Sequence, residues 1–384
     1  MSLKINAIKV KQPIGYFYVC KLDSKILAKL SKADIYRISN NGDNLYEGIQ
    51  RQLIPKKVKQ ITAYLKSKEA TFPNSIILNV DKEHIISANE DSLMLVDDER
   101  TFTIIDGQHR LEGLKNSNIE NFDVVLSIFV DLELNEQSRV FVTINTEQTK
   151  IDPSFGLHQE LNDPLFTPRK MVVRLTELFN YDINSPWHKM IKLVGKKDEL
   201  SSEGILSLSA FANPIIDLIY DDSQFHDLRN LILQKYLIRN GKNLNDLDNI
   251  KINQHELSDI KINEIEFHDI KKSCLWDYYV DQNEKMLYKV LMNYFNAVKN
   301  VFEKDWANKD SLLNKTTGYN ALIKLFEDIY KHGYEKGDYT QNYFDNVLKP
   351  LKKLDGTINS KQYSPSGYYA SNELYSSFYK EIYN

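Results

Sequence analysis

The sequence predicts an α+β protein in which a mixed α/β part comes first and a mainly helical part follows. Strand-like apolar runs and amphipathic helical patterns alternate as far as residue 145, which is typical of interleaved strands and helices. After Asp152 and Pro153 the pattern becomes mainly helical. A chain of 384 residues is long enough for two or three domains. We therefore predict one domain over residues 1–155 and a second, mainly α-helical domain over residues 156–384.

The first elements are marked by turn and capping residues. Residues 5–22 predict two strands joined by a Pro-Ile-Gly turn, and Ser24 is the candidate cap of a short helix over residues 24–31. In the stretch YEGIQRQLIPKKVKQITAYLKSK, apolar residues recur at helical spacing. This spacing predicts a helix with Pro55 in its first turn and its lysines on the outer face.

Strands and helices continue to alternate up to the predicted boundary. FPNSIILNV and TFTII each predict a buried strand, and DVVLSIFVDL predicts a strand that is apolar on both faces. Residues 81–100 are polar and acidic, and they predict a hairpin or a loop. NEQSRVFVTIN predicts a helix with Asn135 as its cap.

The C-terminal part carries helical patterns on both sides of one unusual stretch. Helices are predicted over residues 165–180, 203–220, 281–304 and 316–331. Residues 221–280 include a segment that is rich in Asn, Asp and Lys and has a weak strand-like alternation. We interpret this stretch as an insertion.

Composition sets limits on the class of protein. Hydrophobic residues make up 42% of the chain and charged residues 27%, as in an ordinary globular protein. The sequence has neither the apolar run of about 18 residues that a membrane helix needs nor the apolar segment of a signal peptide. We therefore expect a cytoplasmic protein without a membrane partner. Cys20 and Cys274 lie far apart, which argues against a disulfide framework or a cysteine zinc cluster.

The charge is unevenly distributed along the chain. Residues 1–80 carry 14 Lys/Arg against 5 Asp/Glu, a net charge of +9, whereas the rest of the chain has a net charge of −13. A basic N-terminal region can attract a polyanion such as DNA. The alternative is a solvated, lysine-rich surface without a partner, and composition leaves both interpretations open.

The stretch IIDGQHRLEGL places polar side chains directly after a predicted strand, at the start of a predicted helix. The first N–H groups of a helix have no internal partner, so such a turn can bind an anion. Gly107 lets the turn close, and Arg110 can bind a phosphate through two hydrogen bonds. Gln108 and His109 can donate to phosphate or orient a water molecule. Asp106 can hold Mg²⁺.

A purely structural interpretation of the same stretch is also open. In that interpretation Asp106 caps the helix, Arg110 pairs with Glu112 or Glu147, and His109 packs in a polar pocket.

The pentapeptide Asp-Gly-Gln-His-Arg is the signature of the DGQHR-domain family, which includes DndB-like and DpdB-like DNA-modification proteins. Other stretches of this sequence are similar to that family in order and spacing: QPIGYFYVCKL, GIQRQL, FPNSIIL, FVTINTEQTKID, SPWHKMI and KTTGYNAL. The resemblance extends over most of the chain, apart from residues 221–280.

This family in turn resembles the ParB/sulfiredoxin superfamily of nucleotide-binding folds, and the resemblance implies that fold for residues 1–155. There a Gly-x-x-Arg turn holds nucleotide phosphates, and residues 107–110 match it. A second element, INTEQTKIDP, supplies Asn145 and Gln148. In ParB an acid precedes the asparagine and helps to hold the metal, but this chain has an isoleucine there. Glu147 or Asp106 is then the alternative Mg²⁺ ligand.

Further residues acquire a role from the resemblance. It implies that Gln50 and Arg51, from GIQRQL, reach the phosphate site, although an ordinary surface position is the alternative. Asn74 and Ser75 could contact a base or ribose, or simply form a turn. Sulfiredoxin has a reactive cysteine where this chain has Gln108, so thiol chemistry is not expected.

The leading hypothesis is that the protein binds and hydrolyses a nucleoside triphosphate, with ATP and Mg²⁺ favoured, in a bacterial DNA-modification or phage-defence system. Arg110 would neutralise charge on the phosphoryl group, and His109 or Gln108 would position the attacking water. Alanine at Arg110 is expected to abolish binding while leaving the fold intact.

Two alternatives belong to different classes of function. The first is a non-enzymatic, DNA-binding regulator of such a system, which the basic N-terminal region favours although no helix-turn-helix is legible. The second is a scaffold that assembles other proteins of the system around a degenerate nucleotide site.

Overall fold

The computed structural model describes residues 2–32, 37–38, 46–47, 53–147, 151–196, 199–241, 260–334, 337–363 and 367–383. The chain forms two compact units, Met1–Lys150 and Ile151–Asn384. The first unit contains a mixed β-sheet with helices, and the second consists mainly of helices. The predicted α+β class is therefore confirmed.

The first unit is built from ten strands and four helices in its described part. Its strands are β1 Ser2–Gln12, β2 Gly15–Asp23, β3 Ser31–Lys32, β4 Arg37–Ile38, β5 Tyr46–Glu47, β6 Ile76–Val80, β7 Ile85–Ala88, β8 Ser92–Val96, β9 Phe102–Asp106 and β10 Asp123–Val130. Its helices are α1 Ser24–Leu30, α2 Pro55–Leu65, α3 Gln108–Ser117 and α4 Leu134–Glu147.

Eight of these strands form one mixed sheet in the order β3-β9-β6-β10-β2-β1-β8-β7, while β4 and β5 pair separately. Strand β6 is central to the site described below, because it runs parallel to β10 and antiparallel to β9. The pairs β1/β2, β2/β10, β1/β8 and β7/β8 are antiparallel, and β3/β9 is parallel. Strand neighbours that are distant in sequence, such as β6 and β10, thus lie side by side.

One face of the sheet forms the hydrophobic core of the first unit. Successive side chains of a strand point to opposite faces, so every second residue enters this core. Apolar residues of α1, α2 and α3 complete it. The core-facing sheet residues include Tyr18, Cys20, Leu22, Ile76, Leu78, Val80, Val124, Leu126 and Ile128. The residues between them face the other way, toward the side of the sheet where α4 lies.

Helices α2 and α3 approach each other closely at Gly113. A Cβ atom at this position would lie 2.3 Å from Cγ2 of Ile61, and the Thr62 hydroxyl donates to the carbonyl oxygen of Gly113 at 3.4 Å. The glycine in Leu-Glu-Gly-Leu is therefore explained by packing between two helices.

The second unit is organised around long apolar helices. Trp187 is fully buried at its centre, with its ring 5.0 to 5.5 Å from those of Phe211, Phe295, Trp306 and Tyr319. The helices are α5 Pro153–His158, α6 Pro168–Tyr181, α7 Leu208–Asp217, α8 Phe225–Arg239, and then Trp276–Val280, Glu284–Val301, Glu303–Ala307, Thr316–Tyr334, Gln341–Leu348 and Tyr368–Tyr383. None of the helices in the described ranges has the length and apolar character that crossing a membrane requires.

Several local predictions need correction. Asp23, not Ser24, caps α1, because its Oδ1 accepts the N–H groups of Lys25 and Ile26 at 2.9 and 3.4 Å. Asn135 lies within the first turn of α4 rather than capping it.

The weak strand-like alternation belongs to residues 245–267, of which only 260–267 are described, and these include the 3₁₀ turn Ile262–Glu264. The stretch 221–280 begins with another 3₁₀ turn and with α8, whose buried side chains are spaced as in a helix. The polar residues that surround this helix obscured its pattern in the sequence. Residues 242–259, the most polar part, lie outside the described residues.

Candidate functional site

The turn that carries the Asp-Gly-Gln-His-Arg motif joins β9 to α3. Gly107 has a φ of +105°, in the left-handed region that favours glycine. An added Cβ would lie 3.1 Å from Ile76 and 3.2 Å from Nη2 of Arg110, so space also favours glycine here. No side chain among the described residues caps α3. The structural alternative in which Asp106 caps this helix is therefore wrong.

Arg110 binds back onto the loop that precedes β6. Its Nη1 donates to the carbonyl oxygen of Asn74 at 2.8 Å, and its Nη2 donates to that of Ser75 at 3.1 Å. Nη2 also forms an ion pair with Asp106 at 2.9 Å, whereas the sequence suggested Glu112 or Glu147 as partners. The guanidinium thus ties β6, β9 and α3 together.

This arrangement changes what we expect of alanine at position 110. Three hydrogen bonds, one of them to a carboxylate, would be lost from groups that are mostly shielded from solvent. We therefore expect Arg110→Ala to destabilise the first unit, in contrast to the expectation from sequence. A test of ligand binding at Arg110 needs a variant that keeps the positive charge.

His109 faces helix α2. Its Nε2 accepts the backbone N–H of Ile54 at 3.0 Å, and Ile54 is the N-cap residue directly before α2. This contact requires a neutral ring with its proton on Nδ1. Burial lowers the pKa of His109 and the nearby Lys57 lowers it further, while Asp106 acts in the opposite direction. His109 is therefore held neutral as an acceptor.

A cavity of about 680 Å³ opens beside the motif. We call it the motif cavity; it is lined by Pro73, Asn74, Ser75, Ile77, Asp106, Arg110 and Ile144. Its volume lies in the usual range for small-molecule sites. Asp106 and Arg110 both line this cavity, so the motif brings a carboxylate and a guanidinium to the same space.

The other predicted site residues are distributed differently. Gln108 is buried, and neither Gln108 nor His109 belongs to the described lining of the motif cavity. Asn145 is exposed on α4 and donates to the carbonyl oxygen of Phe141 at 2.8 Å, although its neighbour Ile144 lines the cavity.

Some predicted residues lie beyond what the structure describes. Gln50, Arg51 and Gln148 are outside the described residues, and Glu147 belongs to α4 without a described side chain. In the part of the chain that is described, no group of three or more His, Cys, Asp or Glu side chains could hold a metal ion. Asp106, a predicted Mg²⁺ ligand, forms its described ion pair with Arg110 at 2.9 Å, and the Mg²⁺ site stays a prediction.

The comparison with known families gives a clear result. The family model DndB, described as DNA-sulfur modification-associated, matches residues 5–372. The chain belongs to the DndB family. The resemblance to DndB-like proteins is thereby confirmed, and the match also includes the stretch 221–280, whereas the ParB/sulfiredoxin-like fold stays a prediction. A search of curated proteins finds no match.

This DndB-family protein has a second cavity next to the first. We call it the apolar cavity; its volume is about 330 Å³, and its apolar lining consists of Ile14, Phe17, Ile77, Phe129, Val140 and Ile144. Ile77 and Ile144 line both cavities. Sequence reasoning missed these residues, because their proximity depends on the order of strands in the sheet. The alternation of side chains along β6 and β10 indicated which residues share a face of the sheet, but not which strands lie next to one another.

Helix α2 presents a basic surface. Lys56, Lys57 and Lys59 are exposed, and α2 contains no acidic residue. In the described ranges none of these three lysines forms an ion pair. The predicted outward-facing lysines are thus confirmed for this helix.

Proposed function

We propose that this DndB-family protein binds a nucleoside triphosphate, with ATP favoured, and that the phosphates occupy the motif cavity. The observation that carries the proposal is the placement of Asp106 and Arg110 on the wall of one cavity beside a glycine turn. The setting is a DNA-sulfur modification system, which the family assignment supports.

Arg110 keeps donors available for such a ligand. A guanidinium has five N–H groups, and this one uses three of them on Asn74, Ser75 and Asp106. The N–H of Nε and one N–H of Nη1 have no partner among the described residues. These two can donate to phosphate oxygens while the other three preserve the loop. Asp106 would share a Mg²⁺ ion with the phosphates, and this ion would supply charge neutralisation.

Hydrolysis is a separate step that this geometry supports less directly. His109 uses Nε2 to accept the N–H of Ile54, so it can act on a water in the motif cavity only after leaving that partner. Nucleotide binding is accordingly the core of the proposal. Turnover stays a prediction that the same preparation tests by release of inorganic phosphate.

The decisive experiment is titration calorimetry with ATP and Mg²⁺ on the full chain. Arg110→Lys keeps the charge but cannot donate to three protein acceptors and a phosphate at the same time. Asp106→Asn removes the carboxylate. We expect each variant to weaken ATP binding at least tenfold. Arg100→Lys, at an exposed position before β9, is the matched control. Circular dichroism must show both site variants folded; unchanged affinity in folded Arg110→Lys would place the phosphates elsewhere.

A second candidate function, DNA binding, is favoured by α2. Its three exposed lysines have no acidic neighbour on the helix, so they present uncompensated charge to a phosphate backbone. Changing Lys56, Lys57 and Lys59 to Gln should weaken DNA binding and reduce its dependence on salt concentration. Anisotropy titrations at several salt concentrations measure both. DNA binding without phosphate release would favour the regulator over the hydrolase.

Assembly with other proteins of the modification system also stays a prediction. The family description supports the setting but identifies no binding surface.

A further inference from the structure

We propose that the apolar cavity receives the base of the nucleotide whose phosphates occupy the motif cavity. This inference rests on the function proposed above and extends it, because it assigns the part of the protein that recognises the other end of the ligand.

The register of the sheet places both cavities on one face. Ile77 lies opposite Ser127 on β10 and, just beyond a register irregularity between Ile77 and Leu78, opposite Asp106 on β9, with which it lines the motif cavity. Directly paired residues of neighbouring strands point to the same side. Phe129 and Phe17 are paired in the same way on β10 and β2. A continuous band therefore runs across the sheet from a charged end at Asp106 to an aromatic end at Phe17.

The two cavities meet along this band. Ile77 on the sheet and Ile144 on α4 line both of them. Beside Ile77, the hydroxyl of Ser127 donates to that of Ser75 at 2.9 Å, and these serines line one cavity each. The two cavities are therefore adjacent, and we infer that one ligand extends from the motif cavity past Ile77 and Ile144 into the apolar cavity.

The chemistry of the apolar cavity fits a flat aromatic group with polar edges. The rings of Phe17 and Phe129 lie 5.1 Å apart and are tilted by 37°, and Val140 of α4 also lines the space. Arg139 lies at the rim, is exposed, and has no ion-pair partner among the described residues. Its planar guanidinium can stack on a base. Stacking of this kind increases with ring area, so we expect purine nucleotides to bind more tightly than pyrimidine nucleotides.

The test uses a filled cavity and a ligand without a base. Val140→Trp places a large ring in the apolar cavity, and Val142→Trp introduces the same ring on the same helix, at a position that is 54% exposed and outside the described lining. The probes are ATP, CTP and inorganic triphosphate, each with Mg²⁺, measured by calorimetry. We expect Val140→Trp to lower the affinity for ATP at least tenfold and to change the affinity for triphosphate less than twofold. Val142→Trp should retain ATP binding.

A second variant guards against misfolding of the first. Phe17→Leu removes a ring but keeps an apolar side chain at a half-buried position. We expect about a tenfold loss of ATP affinity, in line with the usual contribution of one stacked base. Triphosphate affinity should again be unchanged.

The outcomes separate this inference from the proposed function. If wild-type protein binds triphosphate and ATP equally, or if folded Val140→Trp and Phe17→Leu both bind ATP as wild type does, the base lies elsewhere and only the inference fails. If wild-type protein binds neither ligand, the proposed function itself fails. If Val140→Trp abolishes binding of a single-stranded oligonucleotide but not of ATP, the cavity holds a DNA base and the inference is overturned.

Discussion

Replacing Gly113 by alanine tests the contact that positions the motif helix. Alanine in place of a helical glycine ordinarily stabilises a protein by about 1 kcal/mol. At Gly113, however, the new Cβ would lie 2.3 Å from Cγ2 and 3.0 Å from Cβ of Ile61. The helices would have to separate by about 1 Å or more to restore ordinary contact, and overpacking of this kind costs about 1–3 kcal/mol. We expect a net loss of about 1 kcal/mol in the stability of α3.

The matched control is Gly156→Ala. Gly156 also lies in a helix, α5, but an added Cβ meets nothing within 4 Å. This variant should be neutral or slightly stabilising, so the same substitution has opposite signs at the two positions. Adding Ile61→Ala to Gly113→Ala removes the clashing Cγ2, and the two changes should therefore be non-additive.

Hydrogen exchange read by mass spectrometry is the suitable assay. All three tryptophans lie beyond residue 150, so tryptophan fluorescence follows the second unit and not α3. A loss of about 1 kcal/mol corresponds to about fivefold faster exchange in a peptide over residues 108–117. Equal or slower exchange in Gly113→Ala would show that α2 and α3 are not in the close contact described above. ATP affinity should fall as well, because α3 carries Arg110.

Three further predictions concern titratable groups. Burial lowers the pKa of His109 below its ordinary 6.5. The neutral ring should therefore contribute its full stabilisation above pH 6.5, and this contribution should be lost as the pH falls through the lowered pKa. His109→Phe should flatten this part of the thermal-denaturation profile. Burial also raises the pKa of both Cys20 and Cys274 to about 12. Iodoacetamide at pH 8 should therefore label both thiols slowly unless urea is present. Fast labelling of the folded protein would contradict their burial. Burial raises the pKa of Asp217 to about 6. Asp217→Asn should therefore increase the melting temperature at pH 7.5 but much less at pH 4, near the ordinary pKa of the unfolded carboxyl, and equal effects at both would refute the shift.

Sequence patterns gave reliable information where a single segment determines its own structure. The strand, glycine turn and helix around Gly107 were predicted from one short stretch, and Pro55 occupies the first turn of α2 as expected. Asp106 and Arg110 are four residues apart, so their proximity could be foreseen, although their pairing was not. The cap of α1 was misassigned by one residue, since Asp23 and Ser24 are both good caps.

Contacts between distant segments could not be predicted in this way. The carbonyl groups that receive Arg110 belong to the loop before β6, and this loop adjoins the motif only because β6 lies next to β9. The acceptor role of His109 depends on where α2 begins relative to α3. The motif predicted the polar Asn145 as a site residue, yet it is the apolar Ile144 beside it that lines the cavity.

The ion pair between Asp106 and Arg110 also affects which ions the motif cavity can accept. A lone anion at the remaining N–H groups of Arg110 lies near the Asp106 carboxylate, which is 2.9 Å from Nη2, and a lone cation at Asp106 lies near the guanidinium. Either ion then has a like-charged neighbour, whereas a ligand that brings both charges gives each partner a new counterion. We therefore expect the pair to bind free phosphate and free metal weakly and to favour a ligand in which cation and anion arrive together.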